Sequence, residues 1–177
     1  MRIAITLFSL LALACTNAAA VVPDMSHTRI APLVQATGEF GFSLFSRLHA
    51  EAGSKNLFIS PLSIQMALIM TYAGARGTTA QAMDSTLRLD GMNPVTAAQT
   101  ARAYLDDVAA NAGGVRFSIA NSIWHRPSLT CLPGFLQLAR DTMQAGVHKL
   151  DFGRPDAADR INDWIADKTD NMIKKVL

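Results

Sequence analysis

The sequence has 177 residues, half of them hydrophobic and 17% charged, a composition that favours one folded domain over a disordered chain. Sixteen Lys and Arg residues against fourteen Asp and Glu residues leave a formal charge of +2, and no run of like charges forms a basic stripe. Nucleic acid is therefore a poor candidate partner.

The first twenty residues have the layout of a cleaved secretory signal. Arg2 gives a basic start, an apolar run extends over residues 3–14, and small residues precede the expected cut after Ala20. The run is too short to span a membrane as a stable helix. We therefore predict a signal peptide over residues 1–20, a secreted protein without a transmembrane segment, and a mature domain over residues 21–177. The alternative is a buried N-terminal helix.

The two cysteines are assigned to different parts of the chain. The sequence around Cys15 loosely resembles a lipoprotein cleavage site, so lipid attachment at Cys15 is an alternative to cleavage further along. Once residues 1–20 are removed, only Cys131 remains, and a single thiol cannot form an internal disulfide. We predict that Cys131 is a small buried hydrophobe, with a reactive or intermolecular thiol as the alternative.

The predicted elements of the mature chain begin with an amphipathic helix. Apolar residues recur at helical spacing over residues 34–48, and Gly53 breaks the pattern. A short strand-like apolar run over residues 57–59 follows. We predict that Ser60 then caps the N-terminus of a second helix, with Pro61 in its first turn.

This second helix is apolar nearly all round, which is typical of a buried helix, and Gly74 ends it. Gly77 supplies a permissive backbone position, and Thr78 with Gln81 has the spacing of a capping box for a third helix that ends near Leu89. Spaced glycines beside a helix start also suit an anion site, but the lysine of a phosphate-binding loop is missing. We interpret the stretch as a linker between helices, with the anion site as the alternative.

The second half of the chain mixes helices and strands. Residues 94–111 are Ala-rich and helical, and over residues 113–127 the apolar period changes to two, which predicts a strand. Asn121 interrupts the apolar side of that strand, and we predict that it bonds neighbouring backbone, a ligand-binding role being the alternative. The remaining predictions are a helix over residues 132–144, a short strand over 146–152 and a final helix over 155–177.

The sequence contains no recognisable catalytic or metal-binding motif. Its four histidines are scattered singly, without HExxH or a Cys/His cluster at metal spacing, and it has no G-x-S-x-G motif. An enzyme such as a serine hydrolase stays the weakest hypothesis, because a triad is defined by spatial geometry that chain order cannot exclude. We predict no catalytic residues, no metal and no cofactor.

The stretch NLFISPLSIQMALIMTYAGARGTT, from Asn56 to Thr79, resembles the serpin family's N-F-x-S-P-x-S segment, buried helix and G-A-x-G-x-T turn. The resemblance continues in order through ANSIW, LPGFLQLARDTMQAGVHKLDF and INDWIADKTDNMIKKVL, and so covers nearly all of the mature chain. It implies an α+β fold, the N-terminal part of the serpin fold, with helices packed around a large, mainly antiparallel central sheet. By the same resemblance, Asn56, Ser60, Pro61 and Ser63 belong to the region where that sheet parts to admit another strand.

The resemblance implies inhibition of a target serine protease, or of a cysteine protease, by a full-length parent protein. In such inhibition the protease cleaves an exposed reactive loop, which inserts into the central sheet before the acyl-enzyme hydrolyses. The resemblance also implies that residues 1–177 stop before the remaining sheet strands and the reactive loop. We therefore expect an incomplete fold that does not inhibit on its own. The alternatives are a non-inhibitory serpin-like binding or structural protein and a decayed gene fragment.

Two further expectations come from comparing this sequence with the family pattern. Serpins that heparin activates use basic residues on the helix that residues 94–111 resemble, and Arg102 is the only basic residue there, so we expect no heparin site. Asn171 stands where family members often have glycine. Because Asn tolerates the left-handed backbone conformation that ends a helix, we predict that the turn is kept.

Overall fold

The computed structural model describes residues 25–115 and 119–177. The helices of the first half are α1 (Met25–Ala52), α2 (Pro61–Tyr72), α3 (Gly77–Leu87) and α4 (Pro94–Ala110). The second half contains β1 (Ser122–His125), α5 (Pro133–Gln137) with a π-helical turn (Leu138–Thr142), β2 (Gly146–Lys149) and α6 (Ala157–Lys168). The predicted signal peptide over residues 1–20, Cys15 within it, and the middle of the predicted strand around Phe117 lie outside the described residues.

The main core lies between α1, α2, α3 and α4. Met66 and Ile69 of α2 are fully enclosed, at 0% exposure, and contact apolar residues of the other three helices. Ala97 and Ala101 face this core from α4, and their small side chains let the helices approach closely. Full burial of a large apolar side chain such as that of Met66 or Ile69 contributes about 1.5–3 kcal/mol. The predicted buried helix is confirmed, and α2 is the element around which the others pack.

The two described strands form a parallel pair. Ser122 pairs with Gly146 and His125 with Lys149, and α5 with its π-helical turn makes the crossover that parallel pairing requires. A second apolar cluster joins this strand pair to α2. Its members are Met70, Ala139 and Ala145, with Ile123, Met143 and Val147 packed against them. The helices and the small sheet agree with the predicted α+β class. The prediction that the whole central sheet is mainly antiparallel concerns more strands than this one pair and stays a prediction.

Two predicted local structures in the first half are wrong. Residues 57–59 form no strand, and Phe58 is 96% exposed, because the described residues supply no neighbouring strand for this segment to pair with. The predicted capping box at Thr78 and Gln81 is also wrong. The third helix begins at Gly77 with Arg76 at the N-cap position, and no side chain caps it.

The final helix is shorter than predicted. It ends at Lys168, so the predicted extension to residue 177 is wrong and Lys174 and Lys175 lie beyond the helix. Asp170 and Asn171 have φ angles of 48° and 60°, in the left-handed region that cannot continue a helix. The prediction that Asn171 keeps the left-handed turn is confirmed.

The predicted strand over residues 113–127 is also shorter in the described part of the chain, where only Ser122–His125 is extended and paired. Asn121 is half-buried next to it, and its carbonyl accepts a hydrogen bond from the Gly146 amide at 2.9 Å. The predicted partner of its side-chain amide stays a prediction. No helix within the described ranges has the length and apolar character needed to cross a bilayer.

Candidate functional site

The start of α2 holds three of the four predicted site residues in one arrangement. Ser60 has extended backbone angles, φ −113° and ψ 94°, and its hydroxyl accepts a hydrogen bond from the Ser63 amide at 3.4 Å. The two hydroxyl oxygens also lie 2.9 Å apart and share a hydrogen bond. Pro61 occupies the first turn of the helix. The predicted helix cap is therefore confirmed, and the two serines restrain each other.

Pro61 fixes this helix start against α1. A Cβ added to Gly41 of α1 would lie 2.8 Å from the Pro61 Cβ and 2.9 Å from its Cγ, so the glycine is what allows this contact. Asn56, the fourth predicted site residue, is exposed in the segment before α2 and takes no part in the hydrogen bonds between the serines. The structure thus brings Ser60, Pro61 and Ser63 together and leaves Asn56 outside.

An apolar groove of about 580 Å³ runs beside this helix start, between α1 and the segment that leads into α2. The residues that line it are Val34, Thr37, Gly38, Gly41, Phe42, Phe45, Leu57, Phe58, Ile59, Pro61, Leu62 and Tyr104. Phe42 is 79% exposed and Phe58 is 96% exposed. A continuous apolar surface of this kind is typical of a place where other protein or an apolar ligand binds.

The turn between α2 and α3 behaves as a linker. Arg76 donates through Nη1 to the carbonyl oxygens of Ala73 and Ala75, at 3.3 Å and 2.6 Å. Its guanidinium therefore neutralises the carbonyl end of α2. This arrangement favours the linker interpretation over the anion site.

A second cavity, of about 670 Å³, lies between this turn and the start of α5. Cys131 is one of its lining residues and is half-buried, so the prediction of a fully buried hydrophobe is wrong. The reason is that residues 126–132 form a surface loop instead of a continuation of β1. The thiol contributes to an apolar cavity wall but is within reach of solvent.

The charged groups of α4 are paired with each other. Arg102 donates to the Asp106 carboxylate through Nε, at 3.0 Å, and through Nη2, and it donates to the Gln144 side chain at 2.9 Å. The hydrogen bond from Arg102 lowers the pKa of Asp106 below its usual value. The guanidinium of Arg102 is therefore already hydrogen-bonded to Asp106 and Gln144. The expected absence of a heparin site stays a prediction.

The helix start offers no geometry for catalysis within the described ranges. Ser60 and Ser63 bond each other, and no histidine or carboxylate is among the hydrogen-bond partners described for either hydroxyl. The described part of the chain also contains no group of three or more His, Cys, Asp and Glu side chains placed to hold a metal ion. The site can support or bind a protein segment, but the arrangement shows no nucleophile with its base.

Sequence reasoning missed two features of the folded chain. Gln65 is fully buried at 0% exposure in the middle of the apolar helix α2, where it bonds to both α1 and α3. His148 stacks on Trp124 and contacts Trp164, although the sequence shows it only as an isolated histidine. A polar residue inside an all-apolar helix was the available signal for Gln65, whereas only folding brings the three rings together.

A family model described as serpin (serine protease inhibitor) matches residues 35–177. Human Serpin B8 is 34% identical over 147 residues, which cover 82% of this chain and 39% of that protein. Leukocyte elastase inhibitor of Xenopus tropicalis is 32% identical over 148 residues, with the same coverage of 82% and 39%. Among solved structures, cleaved Serpin 42Da matches with a TM-score of 0.70 and 25% identity over 86% of this chain and 39% of that one. The chain thus spans about two fifths of the length of these relatives.

Proposed function

Because this chain belongs to the serpin family, we propose that residues 21–177 are the N-terminal part of a serpin domain and that the protein containing the whole domain inhibits a serine-type endopeptidase. The observation that carries the proposal is the family match over residues 35–177, whose described part has the partial serpin fold. Inhibition would use cleavage and insertion of a reactive loop, a strand addition to the central sheet. Such a protein acts as a substrate that traps its protease, not as an enzyme.

Within this proposal, Ser60, Pro61 and Ser63 form a firm support for the part of the sheet that opens, and Asn56, which lies outside their arrangement, belongs to the same region by resemblance alone. What supports the assignment is the restraint at the start of α2, where the capping Ser60, Pro61 in the first turn and the close contact of Pro61 with Gly41 fix the backbone. A support of this kind stays in place while strands separate beside it. Loss of this support would let the sheet open too early or too slowly, and either change would reduce the fraction of protease that is trapped.

The direct test is formation of a covalent complex. The protein as its source produces it is incubated with a panel of serine proteases that includes an elastase, because one relative is named leukocyte elastase inhibitor. We expect a band stable in sodium dodecyl sulfate whose mass is close to the sum of protease and inhibitor. Protease with its active-site serine already blocked is the control and should give no such band. Cleavage of the protein without any complex, across the panel, would contradict the proposal.

The role of the helix start is tested in the same assay. We expect Ser60→Ala to raise the number of inhibitor molecules consumed per protease trapped, because the capping hydroxyl and its bond to Ser63 are lost. Ser54→Ala, in the exposed turn after α1, is the matched control and should leave that ratio unchanged. Equal ratios for the two variants would remove the proposed role of the serine pair.

A non-inhibitory binding protein is the second candidate function, and the apolar groove favours it. Its volume of about 580 Å³ falls in the range that accommodates small apolar molecules. Under this alternative the protein would form no covalent complex but would bind an apolar fluorescent probe, and Phe42→Ser would weaken that binding. In the inhibitory proposal the groove is instead covered by the rest of the serpin domain, and the probe should not bind.

The exposed side chains also predict how residues 21–177 behave when produced alone. Phe42, Phe58 and the apolar residues at the end of the chain would face water, which favours association. We expect poor solubility or oligomers. A soluble monomer with a sharp, reversible thermal transition would contradict this expectation.

We also propose that the protein is exported by cleavage of residues 1–20. The support is the basic start and the apolar run of the sequence. N-terminal sequencing of the protein from the medium should begin at Val21. A lipid-modified N-terminus at Cys15, or recovery of the protein only inside cells, would contradict the proposal.

A further inference from the structure

Three aromatic rings connect α6 to the strand pair. Trp124 of β1 and His148 of β2 are partners in the strand register, and their rings stack with centroids 4.3 Å apart and planes 22° apart. Trp164 of α6 meets the His148 ring nearly edge-on, with centroids 5.9 Å apart, and the Trp124 ring at 6.3 Å. The three rings therefore form a triangle in which each contacts the other two, so His148 and Trp124 of the strand pair both meet the indole of α6.

Gly146 makes room for this arrangement. It lies two positions before His148 on β2, so both residues are on the same face of the strand pair. A Cβ added to Gly146 would lie 2.6 Å from the His148 Nε2 and 3.1 Å from the Cζ2 of Trp164. The histidine ring and the indole of α6 thus rest directly on the backbone at Gly146.

His148 is half-buried, but its Nε2 atom is buried and has no hydrogen-bond partner among the described residues, where it is the one buried side-chain N or O atom without a partner. The indole N–H of Trp124 donates to the Ser122 hydroxyl at 2.8 Å and is not available to it. A neutral imidazole can leave Nε2 without a hydrogen-bond partner at a modest cost. An imidazolium has two N–H donors and a positive charge, and here it would lack an acceptor.

The charges near this cluster also matter. Lys168, at the end of α6, repels a proton on His148, and its ammonium lies 3.0 Å from the Asp167 carboxylate. Asp170 lies further along the groove that Trp164 and Lys168 line. Burial first, and the Lys168 charge second, lower the pKa of His148 below its usual value. Stacking on Trp124 favours the cation and acts in the opposite direction.

α6 has few other attachments to the strands. Neither of the two apolar clusters of the described residues contains a residue of α6. The buried side chain of Asn162 bonds backbone atoms of Val176 and Leu177, which ties α6 to the end of the chain and not to the strand pair. Loss of the contact between the His148 and Trp164 rings would therefore weaken the attachment of α6 to the strand pair.

We propose that His148 is a pH-sensitive latch for α6: its neutral ring holds Trp164 against the strand pair, and its protonation in a mildly acidic medium loosens the helix. This inference concerns the described residues alone and does not depend on protease inhibition. Since the folded state disfavours the proton, the latch is fully closed above the ordinary histidine pKa of about 6.5 and opens as the pH falls below it. Carboxylates of ordinary pKa stay ionised in that window.

The test is hydrogen exchange of the whole protein, as its source produces it, followed by mass spectrometry at pH 7.5 and pH 5.5. Exchange is corrected for the intrinsic effect of pH on the amide rate. We expect peptides covering residues 157–168 to exchange faster at pH 5.5, by up to about tenfold one unit below the ordinary histidine pKa. Equal corrected rates at the two pH values would overturn the latch.

Two substitutions identify the group that titrates. His148→Phe keeps an aromatic ring in contact with both indoles but cannot take up a proton, so its α6 peptides should exchange alike at both pH values. His49→Phe is the matched control, because His49 is an exposed histidine stacked on Phe45 at 6.0 Å, and it should keep the wild-type response. A response retained in His148→Phe would overturn the proposal.

If His148→Phe fails to fold, His148→Gln is judged by the same criterion. Independently, the ring of His148 in the wild-type protein can be titrated by NMR. A midpoint below 6.5 is expected. A midpoint at or above 6.5 would mean that the folded state accepts the proton, and would overturn the latch.

Discussion

Replacing the buried Gln65 should destabilise the protein although the substitute is apolar. Gln65 is fully enclosed on α2, where Nε2 donates to the Leu87 carbonyl at the end of α3, at 3.0 Å, and Oε1 accepts from the Thr37 hydroxyl of α1. One side chain thus joins three helices. Gln65→Leu has nearly the same volume and helix propensity, so the lost hydrogen bonds dominate the effect.

The size of the destabilisation by Gln65→Leu depends on which hydrogen bonds Thr37 and the Leu87 carbonyl retain. Thr37 retains its hydrogen bond to the Leu33 carbonyl at 2.7 Å, whereas the Leu87 carbonyl, one of the last in its helix, loses the Gln65 donor. Leaving the Leu87 carbonyl unpaired costs about 1–3 kcal/mol, and loss of the hydrogen bond to Thr37 costs about 1 kcal/mol more. Burial of the leucine side chain returns part of this, at about 0.8 kcal/mol per methylene. We expect a net loss of about 2 kcal/mol.

The assay is urea unfolding of the whole protein followed by circular dichroism. For a urea dependence of about 2 kcal/mol per molar, the midpoint of Gln65→Leu should fall by about 1 M. Gln35→Leu is the matched control, because Gln35 is exposed on α1 and bonds only Glu39, at 2.8 Å, among the described contacts. It should shift the midpoint little. The reasoning is refuted if Gln65→Leu unfolds at the wild-type midpoint or above it.

Two further predictions follow from contacts elsewhere. Gly41→Ala should destabilise by about 1–3 kcal/mol, because its methyl group would overlap Pro61, and by more than Gly38→Ala on the same helix, where no described atom lies within 4 Å of the added methyl group; equal urea midpoints would disprove the clash. Arg102→Met should raise the pKa of Asp106 toward its usual value, as measured by NMR of the carboxyl carbon, and an unchanged pKa would show that the hydrogen bond is not its cause. With Arg102 present, the ion pair contributes stability above the usual pKa of the carboxyl, and this is lost as the pH falls through the lowered value.

Local sequence patterns predicted the helical part of the fold well. The cap at Ser60, the proline after it and the apolar surface of α2 are all properties of adjacent residues, and each acts over one or two turns of chain. The same is true of the left-handed backbone at Asn171, which depends on the residue itself. Such features are readable because no distant part of the chain is needed to produce them.

The failures occurred where a segment depends on distant partners. Residues 57–59 have the apolar character of a strand, but a strand forms only beside another, and the described chain does not supply one there. Cys131 is apolar enough to be buried, yet its loop leaves it half-buried. The capping box at Thr78 and Gln81 failed for a local reason instead: the helix begins at Gly77 with Arg76 at the N-cap position, two residues before the predicted cap.

By itself the sequence determined the order of the helices, the family and the residues at the start of α2, because these depend on short-range chemistry and on motifs of adjacent residues. Only the tertiary structure brought Gln65 of α2 into hydrogen bonds with α1 and α3 and placed His148 against two indoles. Those residues come together across long stretches of chain, and burial then decides their behaviour. A buried polar atom needs a partner that folding alone provides or withholds.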